Sequence, residues 1–386
     1  MKLLYVTPKP FLPDSRGGAQ LSTITLLQEL RKRGWDVQVV ALRKQPISVL
    51  IRAFLLRLFL FKRESRVTPT VETEIVVDRV WGFSAMGFLG RHLDLRYLKP
   101  TFKRRIEEIA PDILLGDFSA SDSLFKFALA LGITCIKTVR SLPVLDHPSI
   151  VPLDLHVIGN SPYSSRVAGA TFNREVYYVQ PYIDRSRYKV QRKSCTYITF
   201  INPTEQKGLP VAVEIARLMP EHRFQFVMGK WSGCSEKKVQ IQVSEARSLD
   251  NVDIVSHIHD MREVYSGTRL LIVPSQFVET FGRVIVEAQL NGIPVVGAHV
   301  GGIRETLGKG GILVENRSSP LAYVNAIREI LDNEEQFSTL ALENVEQDEF
   351  ILEKQIEKFQ ALATGFLQAD RSSRDTRPVG TPPAQP

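Results

Sequence analysis

Short apolar runs alternate along this chain with longer stretches in which apolar residues recur every three to four positions. Lys2 to Thr7 is apolar, Gln20 to Arg33 has helical spacing with Gly34 as its stop, and Val37 to Leu42 is apolar again. Asp112 to Gly116 and Thr134 to Val139 read as strands around a helical Ser121 to Leu131. A second series follows the charged, aperiodic stretch 181–193. Its strands are Tyr197 to Ile201, Arg223 to Val227, Val252 to Val255, Leu270 to Val273 and Pro294 to Val296, with a helix over Pro210 to Met219 behind the first. This alternation predicts two α/β domains, each a parallel sheet with crossover helices, facing a cleft. The expected boundaries are 1–185 and 190–345, then a helix over 346–367 that could pack back on the first domain. The Pro-, Arg- and Ser-rich tail 368–386 is expected to be disordered.

A chain of 386 residues with 44% hydrophobic and 24% charged positions can bury two ordinary cores. Pro8 and Pro10 break the apolar opening too soon for a signal peptide, and no apolar run is long enough to span a bilayer. A cytoplasmic protein is expected, with peripheral contact on the inner face of a membrane as an option. Cys135, Cys195 and Cys234 lie far apart, and the seven histidines show no ligand spacing, His257 and His259 included, so neither a disulfide framework nor a metal is expected. Residues 1–190 hold 28 Lys and Arg against 17 Asp and Glu, the remainder 21 against 25. No basic run interleaved with aromatics accompanies that bias, which disfavours nucleic acid. Segment 48–63 combines apolar residues with Arg52, Arg57, Lys62 and Arg63. It reads as an amphipathic helix packed on its own domain, with contact to an anionic membrane as the alternative.

Open parallel sheets bind ligands beyond the carboxyl ends of their strands, so chemistry is sought in those loops. The stretch Leu270 to Gly302 reads strand, loop, helix, strand, loop. A helix starting near Phe281 puts Glu279 at its mouth and Glu287 about two turns in. The N–H groups of Phe281, Gly282 and Arg283 then suit a diphosphate, and Gly282 allows close approach. Glu287 suits two ribose hydroxyls, and Glu279 suits a sugar ring or a developing positive charge. In Asn202 to Gly208, Lys207 is placed to neutralise a leaving diphosphate. Gly17 and Gly18 follow the first strand, where small residues let an N-terminal backbone close on the donor diphosphate although the spacing is not G-x-G-x-x-G, and Arg16 is a further phosphate or acceptor candidate of unfixed direction.

Glu279 and Glu287 within ETFGRVIVEA, followed by GIPVVGAHVGGIRE, resemble the signature of family 4 retaining glycosyltransferases. Gly17 and Gly18, NSPYSS from Asn160 and YSGTRLLIVPS from Tyr265 match lesser landmarks of that family. The resemblance implies a GT-B fold of two Rossmann-like domains, a nucleotide diphosphate sugar donor and retention of anomeric configuration, without an obligatory metal or other cofactor. It also implies that Ser256 to Met261 lies beside the nucleotide base. Asn202 stands where the family usually has arginine, which leaves the diphosphate clamp one cation short unless Arg140 or Arg283 supplies the charge. The expected activity is hexosyl transfer to a hydroxyl of a glycan, glycolipid or small molecule. Two alternatives stay open: a nucleotide-sugar epimerase on the same frame, and a silent sugar-nucleotide or partner-binding module.

Overall fold

The computed structural model describes residues 1–11, 17–43, 68–72, 75–81, 100, 102–117, 122–142, 154–192, 195–229 and 237–375. Arg16, Cys234, segment 48–63 and the tail from 376 onward lie outside the described residues. Two compact units result: Met1–Gly159 with Ala168–Val179 and Ile356–Pro386, and Asn160–Val167 with Gln180–Gln355.

The first unit is built on an eight-stranded sheet, with strands β1 (Lys2–Pro10), β2 (Asp36–Arg43), β3 (Thr68–Glu72), β4 (Ile75–Trp81), β5 (Ile113–Asp117), β6 (Thr134–Val139), β7 (His156–Gly159) and β8 (Tyr177–Tyr178). Their order is β3-β4-β2-β1-β5-β6-β7-β8, parallel throughout except for β3 against β4. Strand β1 reads as a continuous apolar run because both its faces are covered: Leu3, Leu4 and Val6 are buried, in register with Val37, Gln38 and Val40 of β2.

From Ile356 on, the C-terminal helix Leu352–Asp375 belongs to this first unit. Ile356, Phe359, Ala363 and Leu367 fall on one stripe and are buried. Beside them, the His156 ring stacks on Phe366 at 4.0 Å, and its Nε2 lies 2.9 Å from Asp370 Oδ1. The helix continues past the expected start of disorder at 368, because Arg371 reaches Asp112 at 2.9 Å and Arg374 bonds the Gly132 carbonyl. Residues 346–367 are not one helix. The helix Glu334–Val345 ends, a turn over Asp348–Phe350 tucks Phe350 into the second unit's core, and the last helix begins at Leu352. Phe359→Ala should cost about 3–5 kcal/mol of first-unit stability through the cavity it leaves. Urea unfolding followed by a first-unit probe checks this, with Arg371→Ala, an exposed ion-pair deletion, shifting it by about 1 kcal/mol at most.

In the second unit, six parallel strands run in the order β11-β10-β9-β12-β13-β14. They are β9 (Tyr197–Ile201), β10 (Arg223–Val227), β11 (Val252–Val255), β12 (Thr268–Val273), β13 (Val295–Ala298) and β14 (Gly311–Val314). The chain winds outward from β9 to β11, returns to β12 on the other side of β9, and winds outward again. This is the 3-2-1-4-5-6 order of dinucleotide-binding sheets, and its switch point lies between β9 and β12. Residues 180–192, expected around the boundary at 185–190, belong to this unit. Ile183 and Tyr188 are in its core, and Arg192 donates to the carbonyls of Gly292 and Thr268. Among the described residues, no helix is long and apolar enough to cross a membrane.

Candidate functional site

The loops leaving β9 and β12 meet at the switch point of the second sheet. The Gln276 N–H donates to the Gln206 carbonyl at 2.8 Å, which ties the loops together beside Lys207. Asn202 turns the chain off β9 at φ +59°, a left-handed conformation that Asn tolerates better than most residues, while its N–H donates to Val227. The backbone thus supplies a reason for asparagine where an arginine was expected. Gly208 adopts φ +88° and lies so close to Pro274 that a Cβ would overlap the Pro274 carbonyl.

Lys207 and Glu279 are brought together as an ion pair. Ser275 Oγ also donates to Glu279 Oε1, at 2.9 Å, and the Phe277 ring lies 5.0 Å from Lys207 Nζ. Glu279 is largely buried, so its charge depends on these two donors. Behind it, Gly301 and Gly302 pack on the Glu279–Thr280 backbone: the Gly302 N–H donates to the Glu279 carbonyl at 2.8 Å, and side chains at either glycine would overlap that backbone. Asn160 Nδ2 donates to Thr280 Oγ1 at 3.0 Å, and Glu305 accepts from the Tyr163 N–H and from Arg166. Asn160 of NSPYSS therefore braces the same loop, and Tyr163 of that motif holds the helix Ile303–Leu307 that follows Gly302.

Phe281 is buried and Gly282, at φ +86°, precedes the helix Arg283–Gln289. This helix starts two residues later than expected and has seven residues, so Glu287 sits one turn in, not two. Its carboxylate accepts from Arg283 Nε at 2.6 Å on one oxygen and from Tyr265 Oη at 2.9 Å on the other. Arg283 also donates to the Tyr188 hydroxyl at 2.6 Å. Burial lowers the Arg283 pKa, but Glu287 and Tyr188 outweigh it and raise it overall. Burial, then Glu287, pushes the Tyr265 phenol well above its ordinary range. The quartet thus joins a carboxylate, a guanidinium and two phenol hydroxyls.

Other candidates sit elsewhere. Gly17 caps the helix Gly18–Lys32 in the first unit with φ −68°, a conformation that does not require glycine. Arg140, also in the first unit, donates to the Ala19 carbonyl and to Thr23 Oγ1. Both arginines considered as replacement cations are therefore engaged by protein partners. His257 and His259 follow β11 with ring centroids 4.9 Å apart, and among the described residues no group of three His, Cys, Asp or Glu could hold a metal ion. Burial pushes the Cys135 thiol upward, in keeping with an inert core cysteine. Sequence reasoning assigned no role to Tyr188, Tyr265 or Ser275. The first lies in the aperiodic 181–193 stretch, and the other two appeared only as landmarks within YSGTRLLIVPS.

Residues 192–333 match the family described as Glycosyl transferases group 1. A D-inositol 3-phosphate glycosyltransferase of Catenulispora acidiphila is 40% identical over 83 residues, which cover 21% of this chain and 19% of that protein. The chain therefore aligns with under a fifth of that relative's length. Among solved structures, sucrose-phosphate synthase from Thermosynechococcus elongatus superposes with TM-score 0.76 at 17% identity, covering 95% of this chain and 99% of that one. Anabaena HepE in complex with UDP and glucose gives TM-score 0.70 at 16% identity, covering 95% and 100%. The expected resemblance to glycosyltransferases is borne out over residues 192–333, and the expected GT-B class of two Rossmann-like sheets is borne out by these superpositions.

Proposed function

We propose that this chain is a retaining glycosyltransferase that moves a hexosyl group from a nucleotide diphosphate sugar to an acceptor hydroxyl. The observation that carries the reading is the pairing of Lys207 with Glu279 across the switch point, with Glu287 one turn into the following helix. Ligands bind at such switch points. Lys207 is the cation for the diphosphate, and backbone N–H groups of Phe281 to Arg283 add donors. Glu279, beside Lys207, is placed to hold the sugar or to stabilise positive charge at its anomeric carbon. A carboxylate has about four acceptor sites; Arg283 and Tyr265 take one on each oxygen of Glu287, which leaves one on each for two adjacent ribose hydroxyls.

In the step we infer, the bond between the anomeric carbon and the phosphate oxygen breaks under Lys207. The acceptor oxygen bonds the same face, and its proton passes to the departing phosphate. Lys207 supplies the charge that a divalent ion supplies elsewhere, so transfer should proceed at an unchanged rate, within about twofold, in excess EDTA. The acceptor is a glycan, glycolipid or small molecule.

The test is incubation with UDP-, GDP- and ADP-hexoses and a broad acceptor set, with product anomers read by NMR. Transfer with the donor's anomeric configuration is the expected outcome. An epimerised donor without transfer, or binding without turnover, would overturn the reading.

A further inference from the structure

Resting on the ribose reading of Glu287, we propose that Tyr188 is a positioning residue for the donor nucleotide, acting through Arg283 on the Glu287 carboxylate.

Tyr188 follows the turn Arg185–Arg187, in a stretch the sequence marks as a boundary, yet it is buried in the same apolar cluster as Phe281, Ile285 and Val286. Its hydroxyl accepts from Arg283 Nη2 at 2.6 Å while Arg283 Nε donates to Glu287 at 2.6 Å, so one guanidinium bridges the connector and the carboxylate. A guanidinium is planar, and fixing two of its nitrogens fixes its plane. That plane determines which acceptor site on Glu287 Oε1 is taken and which is left. Tyr265 does the same for Oε2. Burial and the charge of Glu287 push the Tyr188 phenol up to about 12, so it stays neutral and serves as an acceptor for Arg283.

The phenol is not what holds this backbone in place. Asn291 Nδ2 donates to the carbonyls of Tyr188 and Glu287 at 3.1 and 3.0 Å, and the Val190 N–H donates to Asn291 Oδ1 at 2.8 Å. Removing one hydroxyl therefore leaves the connector seated and takes away only its hydrogen bond to the guanidinium. Tyr188 thus carries a function separable from packing.

The experiment is calorimetric titration of the full chain with UDP, GDP and ADP, followed by the 2′-deoxy and 3′-deoxy forms of whichever binds tightest. The wild-type chain should prefer the ribonucleotide by about tenfold or more. Tyr188→Phe should weaken the ribonucleotide about 5–10-fold, leave unchanged the deoxy form that lacks the hydroxyl seated on Glu287 Oε1 and so erase most of the preference over that form. Tyr265→Phe, acting on Oε2, should do the same against the other deoxy form, with an unfolding temperature close to wild type. Equal loss for ribo and deoxy forms, or an intact preference in Tyr188→Phe, would overturn the inference. Glu287→Gln separates the two levels. If it abolishes the preference while Tyr188→Phe keeps it, only the positioning role fails; if Glu287→Gln keeps the preference, or the wild type shows none, the ribose reading fails and the inference with it.

Discussion

Glu279→Gln is expected to lower kcat for glycosyl transfer by about 10²–10³-fold while nucleoside diphosphate binding holds or tightens. The two effects have one cause. Lys207 and Glu279 neutralise each other, so a diphosphate that binds Lys207 must compete with a carboxylate already paired with it. Replacing that carboxylate by an amide frees the lysine for the phosphate and removes the negative charge from beside the anomeric carbon. Binding and turnover should therefore move in opposite directions, a pattern that loss of folded protein cannot produce. Lys207→Ala should weaken diphosphate binding and turnover together. Steady-state kinetics with product inhibition by the free nucleoside diphosphate measures both, and a Glu279→Gln kcat within tenfold of wild type would remove Glu279 from the chemistry.

Gly208→Ala should destabilise the second unit by about 2–4 kcal/mol. Two costs add: a left-handed backbone at φ +88°, and overlap of the new Cβ with the Pro274 carbonyl, which is backbone and cannot rotate away. At roughly 2–4 °C per kcal/mol for a unit of this size, the unfolding temperature falls by about 5–15 °C. The site suffers with the fold, because Gly208 is where the β9 loop presses on the β12 loop. Gly17→Ala is the contrasting control: its φ of −68° is ordinary, and its Cβ would meet only the movable Gln20 side chain, so little change in unfolding temperature is expected. Comparable losses in both variants would contradict the geometric account.

Much of the second sheet was legible because its central strands are largely buried. Tyr197–Ile201, Arg223–Val227 and the half-buried edge strand Val252–Val255 keep the bounds expected from the sequence. The two-residue β8 is too short to show a period. Residues 346–351 contain neither glycine nor proline, so nothing local marks the break before Leu352. What ends the helix there is the burial of Phe350. Lys207, Glu279 and Glu287 could be found because loop position and spacing mark them. Tyr188 could not be found, since a single tyrosine has no period and its partner Arg283 is 95 positions away.

On the proposed function, the switch point of the second sheet binds a nucleoside diphosphate through Lys207 and Glu287. That binding is tested most directly by thermal unfolding of the wild-type chain and Glu287→Ala against UDP, GDP and ADP at millimolar concentration. A ligand present at about 100 times its Kd stabilises the folded chain by about 2.7 kcal/mol. The expected result is a rise of several degrees for one nucleotide in the wild type, lost in Glu287→Ala. No rise with any nucleotide, or the same rise in both proteins, would contradict the account.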